Sequence, residues 1–261
     1  MDQTTRAVLA LECLAEAPPA GVALGDFAAA LDLPKSGAHR LLAALIAAGY
    51  AGQDAASGFY RLTPRLVALA LRHLGRQGVV DAAQPVLDRL AALSGELVRL
   101  SVSDGERQVW VAKAQGARHG LIYDPQMGTS PHLASMATGQ AFLASMADDR
   151  ALRLVAAQGL QAEGAGPNAP RDLPALVARL AEVRAAGHAL VSDSSAPGMS
   201  AIARVIRHSV DGHVIGTVSI GGPATRLTRE RMQELAPALA DAAAELSDCA
   251  AGSAAFSPAR H

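Results

Sequence analysis

Apolar residues recur at the three- to four-residue spacing of an amphipathic helix in three segments of the first 50 positions. A tight connection, Asp32-Leu33-Pro34, separates the second segment from the third. After Gly49, the sequence YAGQDAASGFYRL predicts two short strands around a polar turn. Three helices followed by a small hairpin are typical of a winged helix-turn-helix. The apolar positions that define the helices are Val8, Leu11 and Leu14, then Phe27, Ala30 and Leu31, then Leu41, Leu42, Leu45 and Ile46.

A longer helical pattern follows, and the period then changes from helical to alternating. Thr63-Pro64 is a helix start that continues to Gly75 or Gly78, and another helix is predicted over residues 80–93. Val98, Leu100 and Val102 alternate with more polar residues, and the pairs Asp104-Gly105 and Asp211-Gly212 each predict a hairpin turn. Further helices are predicted near residues 134–146, 173–186 and 228–249.

These patterns predict an α+β protein with a boundary near residue 78. We expect a winged helix-turn-helix DNA-binding domain over residues 1–62 and a linker helix over residues 63–78. We expect a second domain with an antiparallel sheet over residues 79–250, and a disordered tail over residues 251–261.

Composition narrows the function only slightly. The chain has 261 residues, with 23 Lys and Arg against 24 Asp and Glu, so no bulk charge indicates nucleic acid or membrane. Cys13 and Cys249 are far apart and form no CxxC motif, which favours free thiols in a reducing cytosol. No apolar run is long enough to span a bilayer. We therefore expect a cytoplasmic protein.

The stretch LPKSGAHRLL has the features of a DNA-recognition helix. Lys35, Ser36, His39 and Arg40 lie at the start of the third helix, where such a helix contacts bases and phosphates. A polar first turn before an apolar stripe also occurs in ordinary helices. Residues 1–76 contain seven Lys and Arg against six Asp and Glu, so one copy would bind phosphate weakly. This weak charge favours a dimer that presents two copies.

Several motifs together resemble the IclR family of bacterial transcriptional regulators. LPKSGAHRLL is similar to the start of that family's recognition helix, and GFYRLTPRL to its wing end and linker helix. In the second domain, HLASMATGQAFLA, APGMSAIARVI and GTVSIGGPATRLT resemble further family segments. The resemblance implies a GAF-like effector-binding domain, homodimers or homotetramers, and palindromic DNA operators. The DNA-contacting positions carried over are Lys35, Ser36, Gly37, His39 and Arg40.

Two positions of the first domain depart from the family pattern. Gly37 stands where Ser or Thr is usual, and a helical glycine costs about 1 kcal/mol relative to alanine. It either permits a closer approach of the backbone to DNA or is simply tolerated. Ala23 replaces the usual capping Thr or Ser before the second helix, at a cost of about 1 kcal/mol.

The resemblance also places an effector site in the second domain, and a helix start with several hydroxyls suits a small carboxylic acid. Ala201 and Gly221 stand where Cys and Ser are frequent, which favours a roomier, more apolar pocket. Tyr123 and Met127 are possible lining residues, and the aromatic and Met residues together point to an aromatic or longer acyl acid. Trp110 and Met136 fit plain core packing equally well. The expected effector contacts are Trp110, Met136, Ala137, Thr138, Asp193, Ser194, Ala201, Ser219 and Gly221.

The sequence offers little support for an enzyme. His132, Ser135 and Asp193 suggest a hydrolase triad, but GxSxG, HExxH, P-loop and GxGxxG motifs are absent. The eight histidines show no metal-ligand spacing, so we expect no metal site. We also expect no catalytic residues and no cofactor. The expected function is a ligand-responsive regulator that binds double-stranded DNA. The alternative is a sensor or scaffold whose first domain contacts another protein.

Overall fold

The computed structural model describes residues 2–77, 79–103, 106–125 and 127–251, with no side-chain description at position 71 or at positions 73–81. The chain divides into two compact units, Met1–Arg76 and Gln77–His261. The predicted turn at Asp104-Gly105 and the predicted tail beyond residue 251 lie outside the described residues.

The first unit begins with three helices and a two-stranded hairpin, as the pattern predicts, and also includes most of a fourth helix, Arg65–Gln77. Helices α1 (Gln3–Ala15), α2 (Leu24–Ala30) and α3 (Lys35–Ala47) precede strands β1 (Ala51–Gln53) and β2 (Tyr60–Leu62). The strands pair antiparallel. Three predicted core positions are instead exposed: Ala30, and Val8 and Ile46, which keep 52% and 38% of their surface. The core of this unit is formed mainly by Ala10, Leu14, Phe27, Ala38, Leu42, Leu45 and Tyr60.

Short-range interactions set the ends of these helices. The Asp2 carboxylate caps α1 by accepting from the Thr5 N–H at 2.9 Å. Ala23 is the N-cap of α2 and offers no side-chain hydrogen bond, as expected for alanine. Between α2 and α3, Asp32 has a φ of +50°, a left-handed conformation that Asp tolerates better than most residues. This residue turns the chain sharply, so that α3 starts directly after Pro34.

Two helices, α4 (Arg65–Gln77) and α5 (Val79–Ser94), connect the hairpin to a five-stranded sheet. The strand order is β4-β3-β7-β6-β5, and every neighbouring pair is antiparallel. The strands are β3 (Leu97–Ser103), β4 (Gln108–Gln115), β5 (Ala189–Ser192), β6 (Met199–Arg207) and β7 (Val214–Pro223). The remaining helices are α6 (Ala137–Ala144), α7 (Asp148–Gln158), α8 (Leu173–Ala186) and α9 (Arg229–Ala251).

Alternation along the strands separates two faces of this sheet. Ile202 and Ile206 of β6 join the apolar cluster formed with α5 and α9, the main core of the second unit. Ala203, which points the other way, packs with Ala137 and Ala141 of α6. The α+β architecture with an antiparallel sheet is therefore confirmed, and α6 lies on the face opposite α5 and α9.

Two elements of this unit were not predicted. Helix α7 buries only Ala151 and Val155, so its apolar stripe is too sparse to stand out. Strand β5 spans four residues, which the sequence pattern does not distinguish from a loop. Helix α6 also begins three residues later than expected, at Ala137, because residues 133–135 form a turn.

Candidate DNA-binding helix and effector pocket

The first turn of α3 presents free donors on the surface of the first unit. Pro34 is the N-cap and provides no side-chain hydrogen bond, so the backbone N–H groups of Lys35 and Ser36 remain available, whereas the Gly37 N–H donates to the Pro34 carbonyl at 2.8 Å. Lys35, Ser36, His39 and Arg40 are all exposed. The opposite face of α3 is anchored by the buried residues Ala38, Leu42 and Leu45. The helix therefore directs two cationic side chains and its positive dipole end to solvent.

Gly37 lies in the same turn and has room for a side chain. A Cβ built at this position would have Pro34 Cδ, 3.8 Å away, as its nearest neighbour. Packing within the unit therefore does not require a glycine here.

The hairpin beside α3 has the form of a wing. The Asp54 carboxylate closes its tip by accepting from the backbone N–H groups of Ala56 and Ser57. The hydrogen bond from Ser57 lowers the pKa of Asp54 below its usual value. Arg61 on β2 is exposed and adds a cation to this part of the surface.

In the second unit, a small cavity lies between the start of α6 and the sheet. Met136 is the N-cap of α6 without a side-chain hydrogen bond, so the first N–H groups of this helix have no cap from that residue. The cavity measures about 20 Å³, room for about one water molecule. Its lining residues are Arg99, Tyr123, Met136, Ala137, Thr138, Ser195, Met199, Ser200, Ala201, Ser219 and Gly221.

Arg99 is the charged group of this cavity. It is only 8% exposed, and its Nη1 has no hydrogen-bond partner among the described residues. Its guanidinium lies over the Trp110 ring, 3.6 Å from the centroid, and 5.8 Å from the centroid of the Tyr123 ring. Burial lowers the pKa of Arg99, although the nearby Tyr123 and Asp124 oppose this shift. Such a buried cation without a carboxylate partner is costly to the fold.

The structure brings six of the nine expected effector contacts to this one cavity. They come from α6, β6 and β7, three elements that are distant in the sequence. The six residues are Met136, Ala137, Thr138, Ala201, Ser219 and Gly221. Arg99 was not predicted as a site residue, because its place in an alternating strand looks like an ordinary polar position. Its adjacency to Trp110 and Ser219 arises only when β4 and β7 pair with β3.

The other three expected contacts have different surroundings. Trp110 does not line the cavity itself but stacks on Arg99. The Ser194 hydroxyl donates to the Ser135 carbonyl at 2.7 Å and is buried, so it is already used within the protein. The Asp193 carboxylate accepts from the Gly198 N–H at 2.6 Å. Both residues thus hold the loop beside the cavity in shape.

The three residues of the suspected hydrolase triad do not form a catalytic relay. Ser135 Oγ lies 3.0 Å from His132 Nδ1, but Ser135 is fully buried. Burial lowers the pKa of His132, although the Gly159 backbone opposes this shift. The Asp193 carboxylate accepts from the Gly198 N–H, and no hydrogen bond recorded for the described residues joins it to His132.

His208 and His213 meet at the turn between β6 and β7. The rings of His208 and His213 stack with centroids 4.9 Å apart. Asp211 lies between them and accepts from His213, which lowers the pKa of Asp211. In the described part of the chain, this is the one group of three potential metal ligands. None of the described helices is long and apolar enough to cross a bilayer.

The chain combines a winged helix-turn-helix with an α+β domain that contains a small internal cavity. This combination is that of the transcription regulators with an effector-binding domain. Comparison with known proteins identifies the family. The model of the IclR helix-turn-helix domain matches residues 3–55, and the model of the bacterial transcriptional regulator IclR C-terminal domain matches residues 71–248. The chain belongs to the IclR family of bacterial transcriptional regulators.

Individual relatives are distant but cover most of the chain. The chain is 28% identical over 224 residues to the HTH-type transcriptional repressor AllR of Escherichia coli K12, covering 86% of this chain and 81% of AllR. It is 29% identical over 227 residues to the HTH-type transcriptional regulator BhcR of Paracoccus denitrificans, covering 87% and 80%. A crystal structure of an IclR homologue from Microbacterium hydrocarbonoxydans, complexed with 4-hydroxybenzoate, has a TM-score of 0.79 at 21% identity and covers 97% of this chain and 100% of that one. This last likeness shows the fold alone.

Proposed function

We propose that this regulator binds a palindromic operator in the cytoplasm as a homodimer or homotetramer, and that a small carboxylic acid changes its affinity for the operator. Residues 1–62 bind DNA, residues 63–78 link the domains and residues 79–250 bind the acid. Lys35, Ser36, Gly37, His39 and Arg40 contact the operator. The exposed donors at the start of α3 support this assignment, because they occupy the turn that faces DNA in a helix-turn-helix.

The observation that carries the acid assignment is the buried Arg99 beside the start of α6, whose Nη1 has no hydrogen-bond partner among the described residues. A guanidinium and a free helix N-terminus are two groups that bind carboxylates, by charge-assisted hydrogen bonds and by the helix dipole. Both border one cavity together with hydroxyl groups, including that of Ser219. A carboxylate placed there satisfies Arg99 Nη1, which has no partner in the described part of the protein.

The surroundings of Arg99 favour an aromatic acid. The cavity is nearly filled by side chains, so an effector enters only if some of them move. Trp110 and Tyr123 stand next to the guanidinium, and an aromatic ring can stack against such residues. The 4-hydroxybenzoate complex of the Microbacterium homologue agrees with an aromatic acid in this fold. Movement of these side chains would then alter the spacing of two recognition helices, which the half-sites of an operator must match.

Fluorescence anisotropy with labelled duplex from the region upstream of the gene tests this proposal. We expect binding that resists random competitor DNA, weakens steeply with salt and changes when benzoate or 4-hydroxybenzoate is added. Short-chain acids such as pyruvate serve as the comparison. Absence of specific binding with both upstream and genomic fragments, with and without acids, would instead favour the scaffold function, for which the weak net charge of the first unit is the supporting observation.

A further inference from the structure

A second and larger depression lies at the opposite end of α6 from the effector cavity. This groove has a volume of about 400 Å³, which falls in the range of small-molecule sites. It is bounded by α6, the C-terminal end of α8, β6 and α9. Its walls are lined mainly by small residues, namely Ala141, Ala144, Ser145, Ala240, Ala243, Ala244 and Ser247.

The charged groups of the groove are all basic. Arg184, Arg204 and Arg207 line it together with His188, and no acidic residue belongs to the lining. Arg184 is already neutralised, since it binds the Asp148 carboxylate at 2.6 Å and two backbone carbonyls. The net positive charge of the groove therefore comes from Arg204 and Arg207.

Arg204 is the group that most needs a partner. It is half-buried, yet no hydrogen bond or ion pair joins its side chain to another described residue. Its Nη1 would lie 3.4 Å from a Cβ at Gly187, so it projects toward the end of α8. Its charge also acts on His188. Burial is the main cause that lowers the pKa of His188, and the positive charge of Arg204 lowers this pKa further. Arg207 donates to the Gly212 carbonyl at 2.9 Å and remains exposed.

The backbone at the base of the groove does not suit a protein strand. Strand β5 pairs with β6 only as far as Ala203 of β6. Positions 204–207 of β6 therefore pair with β7 alone. This free edge covers four positions, and the Arg207 carbonyl already accepts from the Ser247 hydroxyl. So short an edge offers too few hydrogen bonds for strand addition, whereas the volume of about 400 Å³ fits a small ligand.

We propose that this groove is a second ligand site, which binds a small organic dianion such as a dicarboxylate. Arg204 is the inner cation, Arg207 holds the second acid group at the rim, and His188 provides a neutral hydrogen-bonding group. The site is separate from the effector cavity and does not depend on the function proposed for it. The two sites share α6, whose first turn borders the cavity and whose last turn borders the groove.

Calorimetric titration of the full-length protein with succinate, 2-oxoglutarate and inorganic phosphate, at constant ionic strength, tests this site. We expect one of the two dicarboxylates to bind, and Arg204→Gln to weaken its binding by about tenfold or more. Arg153→Gln is the matched control, because Arg153 is an exposed arginine of α7 that pairs with Asp149. Arg99→Gln separates the two sites and should leave dicarboxylate binding unchanged.

Four results would overturn the proposal. The first is equal dicarboxylate affinity in Arg204→Gln and wild type. The second is loss of binding in Arg99→Gln alone, which would place the ligand in the effector cavity. The third is absence of binding by either dicarboxylate at concentrations of about 10 mM. A change of oligomeric state in Arg204→Gln, measured by sedimentation in the absence of ligand, would show that another copy of the chain covers the groove and would equally overturn it.

Discussion

The guanidinium carbon of Arg99 lies 3.6 Å from the centroid of the Trp110 ring, while Nη1 of the same arginine has no hydrogen-bond partner among the described residues. The stack offsets part of the desolvation of the charge, because cation–π contacts contribute roughly 2 kcal/mol when they are buried. It does not satisfy the orphaned N–H groups. We expect a residue held in this way to serve binding at the expense of stability.

We therefore expect the Arg99→Met substitution to weaken acid binding without lowering the free energy of unfolding. Methionine fills a similar volume without a charge, so the free energy of unfolding should stay unchanged or rise by up to about 2 kcal/mol. Acid binding should weaken by about tenfold or more, while operator affinity without acid is retained. Denaturant unfolding and calorimetric titration measure the two effects. The exposed Arg118→Met is the control, and a large loss of stability in Arg99→Met would show that the arginine is structural.

Arg40→Ala should weaken operator binding without unfolding the protein. Arg40 is exposed on α3 and appears in none of the ion pairs of the described residues, so its loss removes little from the fold. If it contacts a phosphate, the slope of log affinity against log salt should fall by about one unit. Anisotropy over a salt series measures this slope, with Arg6→Ala on α1 as the control. Unchanged affinity would show that this turn of α3 does not face DNA.

The sequence predicted the first unit well because its signals are local. Helical spacing, a proline and a glycine define α3 and its ends without reference to the rest of the chain. The cavity of the second unit depends on pairing between distant segments, since Arg99 and Ser219 are opposite each other on β3 and β7. The motif resemblance indicated the family positions on α6 and β7 but not Arg99. Arg99 becomes recognisable as part of this site only when the sheet is assembled.

Stability should fall when the pH drops below about 6.5, and His132 should contribute to this fall. Burial lowers the pKa of His132 in the folded protein, whereas the unfolded chain has the ordinary value near 6.5. Between these two values the unfolded state binds more protons, so acid favours unfolding. His132 Nδ1 is also positioned to accept from the Ser135 N–H, which protonation of that atom prevents.

His132→Asn tests this contribution, because the Asn side-chain oxygen replaces the acceptor and does not titrate. Unfolding free energies measured at intervals from pH 7.5 to 5.5 should fall less steeply in the variant than in the wild type. Some slope should remain, since burial also lowers the pKa of His188. The exposed His119→Asn is the control. Equal slopes in the wild type and in His132→Asn would assign the acid sensitivity to other groups.

Gly37 and Gly139 form a matched pair, since each is the third residue of its helix, α3 and α6 respectively. A Cβ at Gly37 would have no neighbour closer than 3.8 Å, whereas one at Gly139 would lie 2.4 Å from Leu133 Cα and 2.5 Å from its carbonyl oxygen. Backbone atoms cannot move away from the new methyl group as a flexible side chain can. Gly37→Ala should therefore raise the free energy of unfolding by about 0.5–1 kcal/mol, and Gly139→Ala should lower it by about 1–3 kcal/mol.

Operator affinity distinguishes the two explanations for Gly37. If the glycine allows the α3 backbone to approach DNA closely, Gly37→Ala should bind the operator more weakly than the wild type despite its higher stability. Equal affinity would mean that the glycine is merely tolerated. Gly25→Ala is the control for stability, because a Cβ there meets only the end of the Lys35 side chain, at 3.9 Å. Loss of stability in Gly37→Ala would contradict both explanations, since it would require a steric contact that the structure does not contain.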